Sequence, residues 1–132
     1  MDQAYVQVTT TIDSRDDAAA LARSAVEERL AASAQLIAVH STYWWDDEIE
    51  SADEWMVLFK TTADRFEDLA ALINEQHTYD TPEIMATPVV AGSADYLNWV
   101  REQTADDDTE ESDLDDDLED LDLLDETPEE PA

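Results

Sequence analysis

The chain contains no cysteine. Disulfides, thiolate metal sites and a cysteine nucleophile are therefore excluded outright. It contains one glycine, Gly92. Gly-rich dinucleotide loops and P-loops need backbone that approaches phosphates with no side chain in the way, so both are ruled out. Basic residues are also scarce: Lys60 is the sole lysine, and Lys and Arg together number 6 against 36 Asp and Glu, for a formal net charge of −30. Phosphate binding works through Lys and Arg that displace counterions, so neither nucleic acid nor an anionic membrane is expected as a partner. No apolar run approaches the ~18 residues of a membrane span. Met1-Asp2-Gln3 opens without the basic and apolar regions of a secretory signal. A cytoplasmic location is expected.

What is present divides the chain in two. At 132 residues the length suits one domain with a core of its own. Composition is globular to about Thr104 and then shifts: residues 105–132 carry Asp and Glu throughout and no Lys or Arg. Disorder is the default for such a charge run, although Leu114, Leu118 and Leu121 at i, i+4, i+7 leave room for a short amphipathic helix. Residues 1–104, expected to form the domain, remain strongly acidic without the tail. Two readings fit that charge. One is adaptation to a salt-rich, halophile-like cytoplasm, where self-repulsion is screened; the other is a basic protein partner. Acid spread over every exposed face, with almost no lysine, favours the first.

The pattern along the chain is that of a small α+β domain. Ala4–Ile12 alternates and is rich in β-branched residues, which predicts a strand. Ser14 with Asp17 opens a helix in capping-box fashion, and Ala18, Leu21, Ala22 and Ala25 give it an apolar face running to about Ala32. Leu36–Trp45 is a long strand with large groups on both faces; an acidic bend leads to a shorter returning arm, Trp55–Thr62. A two-sided apolar strand invites pairing with another chain, which is the first sign of an oligomer. Asp64 with Glu67 starts a second helix ending near His77, Ile84–Val90 is an edge strand interrupted by Pro88, and Ser93 caps a third helix through Gln103. The order β-α-β-β-α-β plus a C-terminal helix is the ferredoxin-like split βαβ, with an antiparallel sheet and both crossover helices on one face.

Chemistry is harder to find. His40 and Ser41 are neighbours in a strand and point to opposite faces, so they are not a nucleophile-base pair, and no triad is supported. No enzyme is expected. The histidines number 2, His40 and His77. His40 reads as a histidine packed in or beside the sheet. His77 opens the run His77-Thr78-Tyr79-Asp80-Thr81-Pro82-Glu83, which gathers an imidazole, a phenol and carboxylates at a helix end. A divalent metal on His77 and Glu83 stands beside a plainer reading, in which His77 sits favourably on the helix dipole. Lys60 lies in an apolar strand, and pairing with a carboxylate such as Glu83 stands against contact with an anionic ligand. Tyr43, Trp44, Trp45 and Trp55 suit a subunit interface, where Trp and Tyr are enriched.

Three segments together resemble the CutA family of divalent-cation tolerance proteins: Ala22–Ala32 (ARSAVEERLAA), Ser41–Thr61 (STYWWDDEIESADEWMVLFKT) and His77–Val100 (HTYDTPEIMATPVVAGSADYLNWV). The resemblance implies a tight trimer of ferredoxin-like subunits, joined through the hairpin of residues 36–62, and a link to tolerance of copper and other divalent ions. Its trimers are similar to those of PII-type signalling proteins, which leaves open a non-catalytic scaffold whose acidic tail recruits a protein partner. The resemblance also places the family's motif histidine on His77 and its motif Tyr, Glu and final Trp on Tyr79, Glu83 and Trp99, which with Lys60 form the expected ligand-binding set. Ser33 stands where many members have Cys, which removes a soft ligand for Cu(I). Thr78 replaces the usual Pro, and Asp46-Asp47 a Gly-containing bend that Asp also tolerates.

Overall fold

The computed structural model describes residues 4–105. The segment expected as an acidic tail lies outside the described residues, apart from Ala105. The elements are β1 (Tyr5–Ile12), α1 (Arg15–Glu27), β2 (Ser33–Trp45), β3 (Glu48–Thr62), a 3-10 turn (Ala63–Arg65), α2 (Phe66–Gln76), β4 (Met85–Pro88) and α3 (Ala94–Gln103). The strands form a 4-stranded sheet in the order β2-β3-β1-β4, antiparallel at every pairing. This is the expected ferredoxin-like α+β arrangement.

Period-2 alternation decides which residues meet the helices. Val8 and Ile12 of β1, Val57 and Phe59 of β3, and Ala34 and Leu36 of β2 share one face and pack against Ala18, Leu21 and Ala25 of α1 and Leu69, Leu72 and Ile73 of α2. Val8, Ile12, Val57, Phe59, Leu69 and Ile73 are all 0% exposed. The other face carries Gln7, Thr9 and Thr11 with Glu54, Met56, Leu58 and Lys60, and no helix of this core covers it.

Several boundaries depart from the sequence reading, each for a local reason. α1 stops at Glu27, not Ala32. Arg29 takes a left-handed conformation (φ 63°), Leu30 N–H donates to Ala25 O (2.9 Å), and Arg29 N–H donates to Val26 O (3.0 Å). This is a Schellman termination with arginine in the usual glycine place, so the stop carries no glycine to mark it. Ser14 and Ser93 do cap α1 and α3, accepting from Asp17 N–H (3.2 Å) and Tyr96 N–H (3.3 Å). Asp64 makes no such cap: it lies in the 3-10 turn, where the Thr62 hydroxyl donates to it, and α2 begins at Phe66. The last strand is shortened to Met85–Pro88, with Pro88 at its end, where a missing N–H matters least.

The largest correction concerns the hairpin. The returning strand starts at Glu48, not Trp55, so β2 and β3 are 13 and 15 residues long. The bend shrinks to Asp46-Asp47, both left-handed (φ 54° and 66°), which is the backbone of a type I′ turn and matches the strand twist. β1 pairs with β3 only as far as Trp55. Beyond that point, residues 39–45 pair only with 48–54, so the hairpin projects as a two-stranded arm of about 23 Å at ~3.3 Å per residue.

Candidate functional site

The base of this arm is where polar side chains gather. Glu54 is the last residue of β3 before its pairing with β1 begins, and it is the one buried charged residue among those described, 7% exposed. Its Oε2 accepts a 2.6 Å hydrogen bond from the Tyr79 hydroxyl. Tyr79 reaches it because the loop after α2 crosses the end of β1, pinned there by His77. The His77 Nε2–H donates to Thr11 O (2.8 Å), while Nδ1 accepts from Tyr79 N–H (3.0 Å). The His77 and Tyr79 rings pack with centroids 4.7 Å apart.

The electrostatics follow from burial and from Glu54. Desolvation pushes the Tyr79 phenol well above its ordinary pKa; the hydrogen bond to Glu54, the charge of Glu54 and then Asp13 and Tyr43 add to the rise. Ionising the phenol would set a second negative charge against the carboxylate. Tyr79 therefore stays a neutral donor, and the carboxylate an acceptor.

Within one chain, the described contacts bring together only some of the expected site residues. His77 and Tyr79 meet, as their spacing suggested. Glu83 is exposed and bonds to neither of them. Trp99 packs on Tyr96 within α3 (centroids 5.6 Å apart). Lys60 donates to Gln35 Oε1 rather than pairing with Glu83, and burial pulls its ammonium below its ordinary pKa. Lys60 lies six positions along β3 from Glu54, about 20 Å of strand, so the two occupy opposite ends of the open face.

A metal on His77 and Glu83 fits poorly. Both ring nitrogens of His77 are already used within the chain, and a ligand must offer a free lone pair. Among the described residues no group of 3 or more His, Cys, Asp or Glu could hold a metal ion. His40 differs from His77: its Nδ1 lies 2.8 Å from Asp53 Oδ1 on the exposed arm. With the carboxylate accepting from Nδ1–H, its Nε2 lone pair is left outward, the arrangement in which a carboxylate orients a metal-ligating histidine.

Comparison with known proteins places this geometry. The sequence model described as CutA1 divalent ion tolerance protein matches residues 6–103. The chain belongs to the CutA1 divalent ion tolerance family. It is 38% identical over 98 residues to the divalent-cation tolerance protein CutA of Thermus thermophilus, covering 74% of this chain and 95% of that one. It is 34% identical over 100 residues to the chloroplastic CutA protein of Arabidopsis thaliana, of which it spans 55%. The solved CutA1 structure from Thermus thermophilus superposes with a TM-score of 0.75 at 36% identity, covering 76% of this chain and 99% of that one. CutA1 from Oryza sativa gives 0.76 at 28% identity, covering 78% and 95%. Relatives described as chloroplastic and as periplasmic show that the fold serves several compartments. Among the described residues no helix is long and apolar enough to cross a membrane.

Glu54 is not legible as a site residue from a returning strand expected at Trp55–Thr62, because it falls one position outside that span. A signal was available: Glu54 shares the Met56, Leu58 and Lys60 face by period 2, so it is an acid inside a strand and not part of a solvated bend.

Proposed function

We propose that the protein is a non-catalytic homotrimer acting in divalent-cation tolerance in the cytoplasm, with the arms of neighbouring copies completing one another. The observation that supports it most is the exposure of large apolar groups on the arm: Trp44 71%, Trp45 64%, Ile49 63% and Tyr43 41%. An isolated two-stranded hairpin is marginal in water, and large apolar groups on both faces of the arm suit burial against other copies. Metal handling is then a property of the assembly, because the described residues of one chain offer no complete donor set. Copper or another divalent ion would be held between copies, with His40 better placed to donate than His77, and Glu83 an exposed carboxylate open to a second subunit.

Calorimetry with copper tests this. Wild type should bind a stoichiometric amount in molar salt, and His40→Ala should lose it. A Trp44→Ser/Trp45→Ser variant that dissociates should lose it as well. Identical weak isotherms in all three proteins would mean nonspecific association with surface carboxylates and would sink the metal reading.

A second reading, the scaffold, has one supporting observation. The end of α3, where the acidic segment starts, is held by Arg29 Nη1 donating to Gln103 O (3.2 Å) and Arg65 Nε donating to Thr104 O (2.8 Å). A tail launched from a fixed point suits recruitment of a basic protein. Removing residues 106–132 should then abolish capture of that partner and leave the mass of the trimer core unchanged.

A further inference from the structure

We infer that Glu54, with Tyr79, forms the floor of a binding site for a small organic cation carrying an ammonium or amidinium group on an aromatic or apolar body. The inference uses the site described above but not the trimer, since both residues belong to one chain.

The first ground is an unmatched charge. Glu54 is 7% exposed, and its only partner among the described residues is the neutral Tyr79 hydroxyl on Oε2. No Lys or Arg among the described residues lies within ion-pair distance of it. Burying a carboxylate without a counter-charge is costly, and one hydrogen bond from a neutral donor offsets only part of that cost. The second oxygen, Oε1, makes no hydrogen bond with the described residues. It is therefore an acceptor with capacity to spare in a largely buried position.

The second ground is the surroundings, which select the class of cation. A hard divalent ion collects about six oxygen ligands. Here one carboxylate oxygen is open, and no group of 3 or more metal donors stands nearby among the described residues. What lies beside it is aromatic: the Tyr79 ring whose hydroxyl bonds Glu54, packed in turn on the ring of His77. A planar or primary cation meets both demands, donating to Oε1 while its body and charge lie against ring faces. Asp13 adds long-range attraction, since its charge also acts on Tyr79. The Tyr79 hydroxyl, locked as a donor to Oε2, leaves Oε1 as the position for the ligand's N–H.

Benzamidinium and benzylammonium are suitable probes, titrated calorimetrically into the full chain at constant potassium chloride, with benzyl alcohol as the neutral control. The expected result is saturable binding at one site per chain for both cations and none for the alcohol. Glu54→Gln, which keeps shape and removes charge, should weaken binding by about tenfold or more, as expected for losing a charge-assisted hydrogen bond. Tyr79→Phe should weaken it less. An excess of magnesium at matched ionic strength should not displace the probe. Equal affinity in wild type and Glu54→Gln, or no saturable binding in wild type, would overturn the proposal. Should wild type bind nothing and Glu54→Gln lower the native mass, the open oxygen would belong to a donor from a second copy, which overturns the ligand assignment and leaves the trimer reading intact.

Discussion

The same two strands behave in opposite ways along their length. Near α1 and α2, β2 and β3 build the core: Val57 and Phe59 are 0% exposed and the ladder continues into β1 and β4. In the arm beyond Trp55, the ladder narrows to two strands and Trp44 reaches 71% exposure. Trp44 and Trp55 share one face of the hairpin, through the Ala38–Trp55 and Trp44–Ile49 pairings. Trp55 packs against the core, with Arg15 Cζ 5.6 Å from its ring centre. Trp44 faces solvent. Residue type is equal; reach of the helices is not. The proximal half is a folding element, the distal half is the part we propose for assembly, and Glu54 sits at the seam between them.

Breaking the proximal half should have the largest effect. Phe59→Ala removes a fully buried ring and should lower unfolding free energy by about 3–5 kcal/mol, read as a shift in denaturant midpoint at fixed protein concentration. Trp44→Ala, a deletion of similar size, should cost far less by that measure in the dissociated chain.

The seam comes next. Tyr79→Phe takes away the only described hydrogen bond to Glu54 and should cost about 1–3 kcal/mol. It should also change the alkaline limb of the stability profile. The Tyr79 pKa is raised on folding, so the stability it contributes is complete below the ordinary phenol value of 10.0 and is lost as pH rises beyond it, because the unfolded chain ionises first. Lys60 acts in the opposite direction. Its lowered pKa makes the charged form a penalty that is relieved as pH rises toward 10.5. The difference between wild type and Tyr79→Phe cancels Lys60, and it should shrink steadily above about pH 10. A constant difference through that range would contradict the buried, bonded phenol.

The arm tip should show the smallest effect. Asp47→Gly relieves a left-handed residue at φ 66° in the type I′ turn. Relief of about 1–2 kcal/mol is partly offset by the greater freedom of glycine in the unfolded chain, so a gain below about 1 kcal/mol is expected in thermal unfolding.

Much of this was legible in the residues. Alternation in β1 and β3, serine caps at Ser14 and Ser93, and the apolar stripes of α1 and α2 are local signals, and each led to an element of the ferredoxin-like order. What stayed hidden depends on partners distant in sequence or on unusual residues in familiar places. Arg29 ends α1 in a conformation normally given to glycine. The Asp46-Asp47 turn is tighter than an acidic bend suggests, which moved Glu54 from a loop into a strand. Tyr79 and Glu54 lie 25 positions apart and meet only because the His77 ring pins the loop to Thr11 O. That Lys60 meets Gln35 and Trp99 meets Tyr96 is likewise set by packing, which the list of residue types does not contain.

The assignment of the distal arm to assembly is the central claim, and sedimentation in molar salt tests it most directly. Wild type should sediment as three copies. The Trp44→Ser/Trp45→Ser/Ile49→Ser variant should sediment as one, with the far-ultraviolet signal of its proximal sheet and helices retained. A monomeric wild type, or a variant with unchanged mass, would contradict the account.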